Sequence, residues 1–286
     1  MIATAIESVR AQSYCHWELI VIDDGSDDDT ESVVTSYKDQ RIRYIRQVHA
    51  ERSAARNRGM ALSKGDWVCF LDSDDYYLEN HLEVLAGYIE KNRLGEAMVL
   101  TGIEIEDASS GSRIKHPLIK TQQVNVLKEI WETFILMDTV CVSRKILDHH
   151  RFDVRFNLWE DTHLWLRIAS RYRLCQIASY TCVQRNHTAN SVVLGMQRVR
   201  LHNVRQYMLA IDDLFLHHAA SVGSFLSDDD RIEYKNRKLA MYLYQAGMNG
   251  QIRAALVIWW MAIINKPSLY LWLEFPKIFL RPLKRK

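Results

Sequence analysis

The stretch Glu18-Leu-Ile-Val-Ile-Asp-Asp-Gly-Ser26 decides the fold class of this chain. Its apolar, β-branched run is short and is followed at once by turn-forming residues, which is typical of a buried strand that ends at Asp23. A second run, Asp66-Trp-Val-Cys-Phe-Leu71, stops in the same way at Asp72. Because helical spacing lies between such strands, the sequence predicts an α/β fold with a mostly parallel sheet flanked by helices. Ligands of such sheets bind beyond the carboxyl ends of the strands, where both acidic clusters are expected.

Further elements follow from the spacing of apolar residues. Two more strands are expected, at Arg41–Ile45 and Met98–Glu104. Helices are expected at the start of the chain and at Thr30–Tyr37, Ala54–Leu62, Leu78–Lys91 and Leu158–Arg171, with long helices after Gly195. Between Leu100 and Leu158 the sequence carries no other interpretable signal.

The composition is that of an ordinary globular protein, with 286 residues, 48% hydrophobic residues and 25% charged residues. A formal net charge of +2 gives no reason to expect nucleic acid as a partner. The five cysteines form no CxxC pair and no metal-ligand spacing, so reduced thiols in a cytosolic protein are expected. We also expect no signal peptide and no spanning helix, since no apolar run approaches the roughly 20 residues that a bilayer requires.

The first acidic cluster is Asp23-Asp24-Gly25-Ser26. Carboxylates at a strand end can accept hydrogen bonds from a nucleotide base or a ribose hydroxyl, and Gly25 permits a sharp turn. The alternative is an Asx turn that has only a structural role. The cluster alone does not decide between these two interpretations.

The second cluster is Asp72-Ser73-Asp74, directly after a strand. Two carboxylates separated by one residue can bind a hard divalent cation, with diphosphate oxygens completing its coordination. Such a cation offsets the charge that develops on a departing nucleoside diphosphate. An Asp-x-Asp pair is a weak signal by itself, but its position after a buried strand and its pairing with the first cluster strengthen it.

Three further groups of polar residues are candidates for the same site. Arg56 or Arg58 could contact phosphate oxygens, or the helix could present a solvated basic face. Asp161 in Trp159-Glu160-Asp161 could remove a proton from an acceptor hydroxyl, or it could be a first-turn acid of a helix. The run Gln184-Arg185-Asn186-His187 could assist phosphate or metal binding, or it could be an ordinary polar loop.

Taken in order, these pieces resemble glycosyltransferase family 2, an inverting class with the GT-A fold. The resemblance covers Ile2 to about Ser191, and the order and spacing of the pieces make it more specific than any single motif. It is carried by Ala5–Val9 with Gln12-Ser13-Tyr14, Glu18–Ser26, Ala55–Gly59, Phe70–Asp75, Glu160-Asp161 and Arg185–His187.

The resemblance implies a role for each candidate residue. Asp23 and Asp24 would hold the nucleotide base, and Asp72 would lie beside the ribose. Asp74, together with Asp72 and His187, would bind Mn²⁺ or Mg²⁺. Asp161 would be the general base. The other donor-binding residues implied are Arg56, Asn57 and Arg185.

The implied reaction is a single displacement at the anomeric carbon, with a transition state of oxocarbenium character. A nucleotide-sugar donor would glycosylate a glycan or a lipid-linked glycan in cell-surface polysaccharide synthesis. By the same resemblance, residues 1–194 would be the GT-A catalytic domain, with a nucleotide-binding half over 1–100 and an acceptor half over 101–194. Residues 195–286 would form a C-terminal helical region.

The sequence departs from the family pattern in two ways. The family normally begins with a strand that ends in a Pro-x-Tyr-Asn-like loop, whereas Met1 falls after that strand. We therefore expect either a misassigned start or a truncated chain, and poor donor binding by the chain as written. The Gln-x-x-Arg-Trp motif of processive synthases is also missing, which favours one transfer per encounter.

Two other functions fit part of the pattern. A haloacid-dehalogenase-like phosphatase also carries Asp-x-Asp after an apolar strand, but it requires Thr or Val where this chain has Tyr76. The second alternative is a catalytically inactive GT-A-like subunit that serves as a binding or scaffold protein.

The C-terminal segment is apolar, aromatic and finally basic. The run Ala254–Ile264 is too short to span a bilayer, Leu269–Phe279 adds aromatic residues, and the chain ends Arg281-Pro-Leu-Lys-Arg-Lys286. This pattern favours peripheral contact of residues 251–286 with an anionic membrane. The alternative is a helix packed on the catalytic domain. The expected location is the cytoplasm, with contact at the inner face of the cytoplasmic membrane.

Overall fold

The fold is described from a computed structural model that covers residues 1–122, 125–187 and 198–265. The chain forms two compact units, Met1–Asn186 and His187–Lys286. The predicted domain boundary after residue 194 lies outside the described residues and stays a prediction, as do the functional names given to the two halves.

The first unit contains the elements that the sequence predicts, with small shifts at their ends. Its helices are α1 Ile2–Arg10, α2 Thr30–Ser36, α3 Glu51–Leu62, α4 His81–Lys91, α5 Val126–Thr133, α6 Arg144–Leu147 and α7 Glu160–Ala169, with a short 3₁₀ helix at Met137–Thr139. Its strands are β1 Leu19–Asp23, β2 Ile42–Arg46, β3 Trp67–Cys69, β4 Tyr76–Tyr77, β5 Ala97–Asp107, β6 Arg113–Lys115, β7 Val140–Ser143 and β8 Arg173–Asn186.

The strands form two sheets in the described part of the chain. Strands β1 and β2 pair in parallel as a two-stranded sheet. The second sheet has the order β3-β7-β5-β8-β4, with β6 paired to β5. Only β5 and β8 run parallel in it, and its other pairs are antiparallel. The expected α/β class is confirmed, but the expectation of a mostly parallel sheet is wrong, since the sheet is mixed. Three of the four antiparallel pairs involve β6 or β7, and both strands come from the region whose sequence carried no interpretable signal. The fourth is the pair of the two-residue strand β4 with β8.

The core of the first unit lies along β5 and β7. The first seven residues of β5 and all four of β7 are buried. Trp131 of α5 and Trp165 of α7 are among the largest fully buried side chains. Strand β1 is mostly half-buried and ends in the buried carboxyl of Asp23. The first acidic cluster therefore lies at the end of a strand in the more exposed, two-stranded sheet.

Gly25 shapes the turn after β1. Its φ of +84° lies in the left-handed region, where a side chain is strained. A Cβ atom at this position would lie 3.1 Å from the backbone nitrogen of His49. Glycine thus lets the chain turn directly after the two aspartates and pass close to the segment before α3.

The second unit is helical in its described part, with α8 Leu201–His217, α9 Ala219–Val222, α10 Asp228–Met248 and α11 Ile252–Ile264. Helix α10 begins with a capping box, in which Ser227 and Asp230 exchange hydrogen bonds. One face of α11 is buried through Ala255, Ile258 and Ala262. Among the helices that the structure describes, none combines the length and the apolarity needed to cross a bilayer.

Candidate active site

The second acidic cluster lies in the loop between β3 and β4. Asp72 and Asp74 are half-buried, whereas Asp75 is only 2% exposed. The backbone N–H of Asp75 donates to the carbonyl of Asp72, and Oδ1 of Asp75 accepts a hydrogen bond from the backbone N–H of Arg185 at 2.8 Å. The loop is therefore tied to β8. Burial raises the pKa of the Asp75 carboxyl to about 6.

Arg56 joins this loop to the start of α7. Its Nη2 donates to Oδ1 of Asp72 at 3.0 Å, and its Nη1 donates to Oε1 of Glu160 at 2.9 Å. The side chain of Glu160 is 4% exposed and that of Arg56 is 15% exposed. The neighbouring charges of Asp72 and Glu160 outweigh burial and raise the pKa of Arg56. Arg56 therefore faces carboxylates, which neither the phosphate-contact nor the solvated-face interpretation anticipated.

Asp161 lies next to this ion-pair network. Burial raises the pKa of its carboxyl, while the charge of Arg56 and the backbone N–H of Thr162 oppose that rise and the charge of Asp72 adds to it. Trp159, the residue before α7, has a φ of +66°, which is rare for an aromatic residue. This kink sets the start of α7, so that Glu160 and Asp161 fall in its first turn. Trp159 itself is buried, with its ring edge against Trp131.

The first acidic cluster lies beside the N-terminus of α3. Oδ1 of Asp24 accepts hydrogen bonds from the Gln47 side chain at 2.6 Å and from the backbone N–H of Ala50 at 2.9 Å. Oδ1 of Asp23 accepts from the backbone N–H of Ser26 and Oδ2 from the Tyr44 hydroxyl. These hydrogen bonds outweigh burial and lower the pKa of both aspartates. Both carboxyls are therefore ionised near neutral pH.

Helix α3 brings the clusters near one another. Asp24 contacts the residue before the helix, whereas Arg56, which holds Asp72, lies in the second turn. Six residues of helix correspond to about 9 Å. Asp24, Asp72 and the start of α7 thus border the N-terminal half of one helix.

The remaining predicted site residues are placed as follows. The side-chain amide of Asn57 donates to the carbonyl of Phe152 at 2.8 Å and accepts from its N–H at 2.9 Å. The Arg185 side chain lies 3.4 Å from Glu106. Both side chains are therefore engaged within the protein, and their contact with a donor stays a prediction. His187 begins the second unit, and its role as a metal ligand also stays a prediction.

Asp138 is a residue of this region that sequence reasoning missed. It lies in the 3₁₀ helix, is 2% exposed, and accepts a hydrogen bond from the backbone N–H of Asp72 at 2.8 Å. One of its carboxyl oxygens also lies within 4.8 Å of an oxygen of Asp75. Burial, together with the charges of Asp72 and Asp75, raises the pKa of Asp138 well above its usual range. Asp138 is a single aspartate in the region between Leu100 and Leu158, and no sequence pattern there indicated a role for it.

The residues present suit a hard divalent cation. Oxygens of Asp72, Asp75 and Asp138 all lie within 4.8 Å of one another, and Asp74 adjoins them in the chain. Carboxylate oxygens are the donors that Mg²⁺ and Mn²⁺ prefer. The half-buried Asp72 and Asp74 are the more accessible of these four residues, because Asp75 and Asp138 are buried.

The fold is similar to that of a solved glycosyltransferase-class structure. The crystal structure of S. aureus TarS 1-349 in complex with UDP-GlcNAc matches 97% of this chain and 75% of that chain, with a TM-score of 0.61 and 15% sequence identity. At this identity the likeness concerns the fold alone, which is the GT-A fold. The fold and its acidic clusters thus define a GT-A domain.

The sequence itself gives the family. Residues 1–151 match the family described as Glycosyl transferase family 2, and this chain belongs to that family. The resemblance deduced from the motifs is thereby confirmed. The match also removes the basis for the haloacid-dehalogenase-like alternative.

Two relatives illustrate the range of similarity. The chain is 32% identical over 190 residues to the UDP-Glc:alpha-D-GlcNAc-diphosphoundecaprenol beta-1,3-glucosyltransferase WfgD of Escherichia coli. That match covers 61% of this chain and 72% of WfgD. It is 30% identical over 215 residues to an uncharacterised glycosyltransferase of Rickettsia bellii, covering 72% of this chain. The match spans only 30% of the length of that Rickettsia protein.

Proposed function

We propose that this chain is a metal-dependent, inverting glycosyltransferase that moves a sugar from a nucleotide-sugar donor to a glycan or lipid-linked glycan. The observation that carries the proposal is the ion-pair network in which Arg56 bridges Asp72 and Glu160, next to Asp161. Residues from three separate parts of the chain meet there, as a site for both donor and acceptor requires. Family membership supports the same reaction class.

The donor would lie along the N-terminal half of α3. Hydrogen bonds lower the pKa of Asp23 and Asp24, so both carboxyls are ionised near neutral pH. Carboxylates suit a base N–H and ribose hydroxyls as partners. Asp72 would lie near the ribose, and Asp74 with Asp72 would hold Mn²⁺ or Mg²⁺. When bound, such a cation supplies positive charge that stabilises the departing diphosphate.

Asp161 would act as the general base. Its raised pKa makes its carboxylate a stronger base than an exposed aspartate. The carboxylate would take the proton of the acceptor hydroxyl while that oxygen attacks the anomeric carbon from the face opposite the diphosphate. A single displacement of this kind inverts the anomeric centre.

The comparisons support a proposal for the acceptor and the cellular setting. WfgD is named for a diphosphoundecaprenol-linked acceptor, so a lipid-linked glycan of cell-surface polysaccharide synthesis is our first choice. Residues 251–286 would then contact the inner face of the cytoplasmic membrane peripherally. Exposed side chains on α11 support this proposal, with Ile252, Leu256, Trp260 and Ile264 between 47% and 68% exposed. The aromatic and basic residues after residue 265, which belong to the same predicted membrane contact, lie outside the described residues.

The decisive experiment measures release of nucleoside diphosphate in the presence of Mn²⁺. A thermal-shift screen over UDP-, GDP-, CMP- and dTDP-sugars first selects the donor, with UDP-glucose and UDP-GlcNAc as the leading candidates because WfgD and the TarS complex involve them. Asp74→Asn should abolish release, whereas Asp148→Asn at an exposed position should not. Donor binding without release, with any acceptor tried, would instead favour the inactive scaffold.

A further inference from the structure

The buried carboxyl of Asp138 occupies an unusual place under the acidic loop. It lies in a 3₁₀ helix far from that loop in sequence, yet it accepts the hydrogen bond of the Asp72 backbone N–H at 2.8 Å. Within that 3₁₀ helix, the carbonyl of Asp138 accepts a hydrogen bond from the Cys182 thiol at 3.1 Å. Asp138 is thus fixed to β8 on one side and to the loop on the other.

A second contact reaches the same loop through Asp75. Oδ1 of Asp75 accepts a hydrogen bond from the backbone N–H of Arg185 at 2.8 Å, and a carboxyl oxygen of Asp75 lies within 4.8 Å of one of Asp138. Both aspartates are 2% exposed. The two ends of the short loop are therefore both held, Asp72 by the buried carboxyl of Asp138 and Asp75 by the backbone N–H of Arg185.

Such a contact affects what the loop presents to a ligand. The hydrogen bond from Asp72 to Asp138 is half-buried, and a shielded N–H without an acceptor is costly, so removal of the Asp138 carboxyl would force Asp72 to move or to admit water. Asp72 carries the ion pair to Arg56, and Asp74 lies between the two anchored residues. The orientation of the half-buried carboxylates of Asp72 and Asp74 then depends on a residue that neither the cation nor the donor would touch.

We propose that Asp138 is a positioning residue, which holds the Asp72–Asp75 loop in the geometry that binds the divalent cation and the nucleotide-sugar donor. The proposal rests on the function proposed above for Asp72 and Asp74. It assigns Asp138 no contact with substrate or cation. Asp138→Asn should therefore preserve this role, because the amide oxygen can accept the hydrogen bond of the Asp72 backbone N–H.

The test compares Asp138→Leu, Asp138→Asn and the exposed control Asp148→Leu with the wild-type chain. Binding of Mn²⁺ is measured by electron paramagnetic resonance of the free ion, and loop opening by amide hydrogen exchange of a peptide that covers residues 70–77. Nucleoside diphosphate release is measured in parallel. Thermal melting shows whether each variant is folded.

The leucine variant should bind Mn²⁺ roughly 10-fold more weakly, as expected for the loss of one half-buried hydrogen bond, and its loop should exchange faster. The asparagine variant should restore both properties and the control should change neither. Wild-type loop exchange and Mn²⁺ affinity in the leucine variant would overturn the proposal. So would an asparagine variant as impaired as the leucine variant, because the carboxylate itself would then be required.

The outcomes separate this inference from the proposed function. A wild-type chain that neither binds Mn²⁺ nor releases nucleotide would refute the proposed function and, with it, the cation-holding role of Asp138. An active wild-type chain whose leucine variant is equally active would refute the inference alone. If the leucine variant does not fold, the asparagine variant decides through Mn²⁺ affinity, since a loss there excludes a purely positioning role.

Discussion

Arg56 donates a hydrogen bond from Nη2 to Oδ1 of Asp72 across 3.0 Å, and this contact joins α3 to the acidic loop after β3. The other guanidinium nitrogen holds the nearly buried Glu160 at 2.9 Å. A planar guanidinium can bind two carboxylates in fixed directions, which a lysine ammonium on a flexible stem does not reproduce. Arg56 thus organises carboxylates from two parts of the chain.

Replacement of Arg56 should damage both stability and activity. Arg56→Ala leaves the buried Glu160 without its nearest partner, with only Arg52 remaining at 3.8 Å, so the free energy of unfolding in urea should fall by about 3 kcal/mol. Arg56→Lys should fold better but lower kcat/KM by roughly 100-fold through misplacement of Asp72. The same substitutions at Arg58, whose contacts are with exposed polar groups, serve as controls. Full activity of Arg56→Lys would contradict the bridging role.

Replacement of Asp161 should lower activity without lowering stability. If its carboxylate is the base, Asp161→Asn should lower kcat by roughly 10²–10⁴-fold with a small effect on donor KM. The wild-type rate should fall as the pH drops through the raised pKa of Asp161. The pH profile of kcat and the single-variant kinetics check both statements.

The free energy of unfolding should change with pH in the direction opposite to the rate. Because the folded pKa of Asp161 is raised above that of the unfolded chain, the folded state binds the proton more tightly, and the free energy of unfolding falls as the pH rises through that value. Asp161→Asn removes this ionisation and keeps an acceptor for the N–H of Thr162. At neutral pH the variant should be at least as stable as the wild type. An inactive variant that is also strongly destabilised would point to a structural role for the residue.

Asn57 tests the distinction between a binding and a structural residue. Its amide exchanges two hydrogen bonds with the backbone of Phe152, so Asn57→Ala should lower the free energy of unfolding by about 1–3 kcal/mol. Asn92→Ala, at the exposed end of α4, should cost about 0.5 kcal/mol or less. Urea unfolding measures both. Donor KM should change little at a temperature where the variant is folded, and a large rise in KM with unchanged stability would restore the donor-binding role.

The sequence predicted those parts of the fold in which local pattern and tertiary structure agree. The strands that end at Asp23 and before Asp72 were recognisable because a short apolar run is followed by turn residues. The helix that carries Glu160 and Asp161 was recognisable by its apolar spacing. These elements also place the acidic residues, and so the candidate site followed from them.

The features that the sequence did not predict depend on contacts between segments that are distant along the chain. Strand β7 is only four residues long, and its antiparallel partners β3 and β5 cannot be read from its own sequence. The role of Asp138 arises from a hydrogen bond to Asp72, and the partners of Arg56 arise from tertiary packing. Local sequence specifies none of these contacts, because each depends on the register of the sheet.

Helix α11 carries an exposed apolar stripe formed by Ile252, Leu256, Trp260 and Ile264. These residues recur every fourth position, opposite the buried face of the helix, and they precede a segment with six basic residues and one acidic residue over 266–286. If the stripe enters an anionic membrane surface, the double variant Leu256→Gln, Trp260→Gln should weaken binding at least roughly tenfold. Burial of one large apolar side chain is worth about 1.5–3 kcal/mol.

Co-sedimentation with phosphatidylcholine vesicles, with and without phosphatidylglycerol, measures this binding. Phosphatidylglycerol should increase the bound fraction of the wild-type chain and added salt should reduce it, since exposed charges are screened. Leu216→Gln is the matched control, because Leu216 is a 72% exposed leucine of the same unit outside the stripe. Equal pelleting of the double variant and the wild type would exclude the stripe as a membrane surface. A concentration-dependent dimer that the same double variant abolishes would show instead that a second copy of the chain covers it.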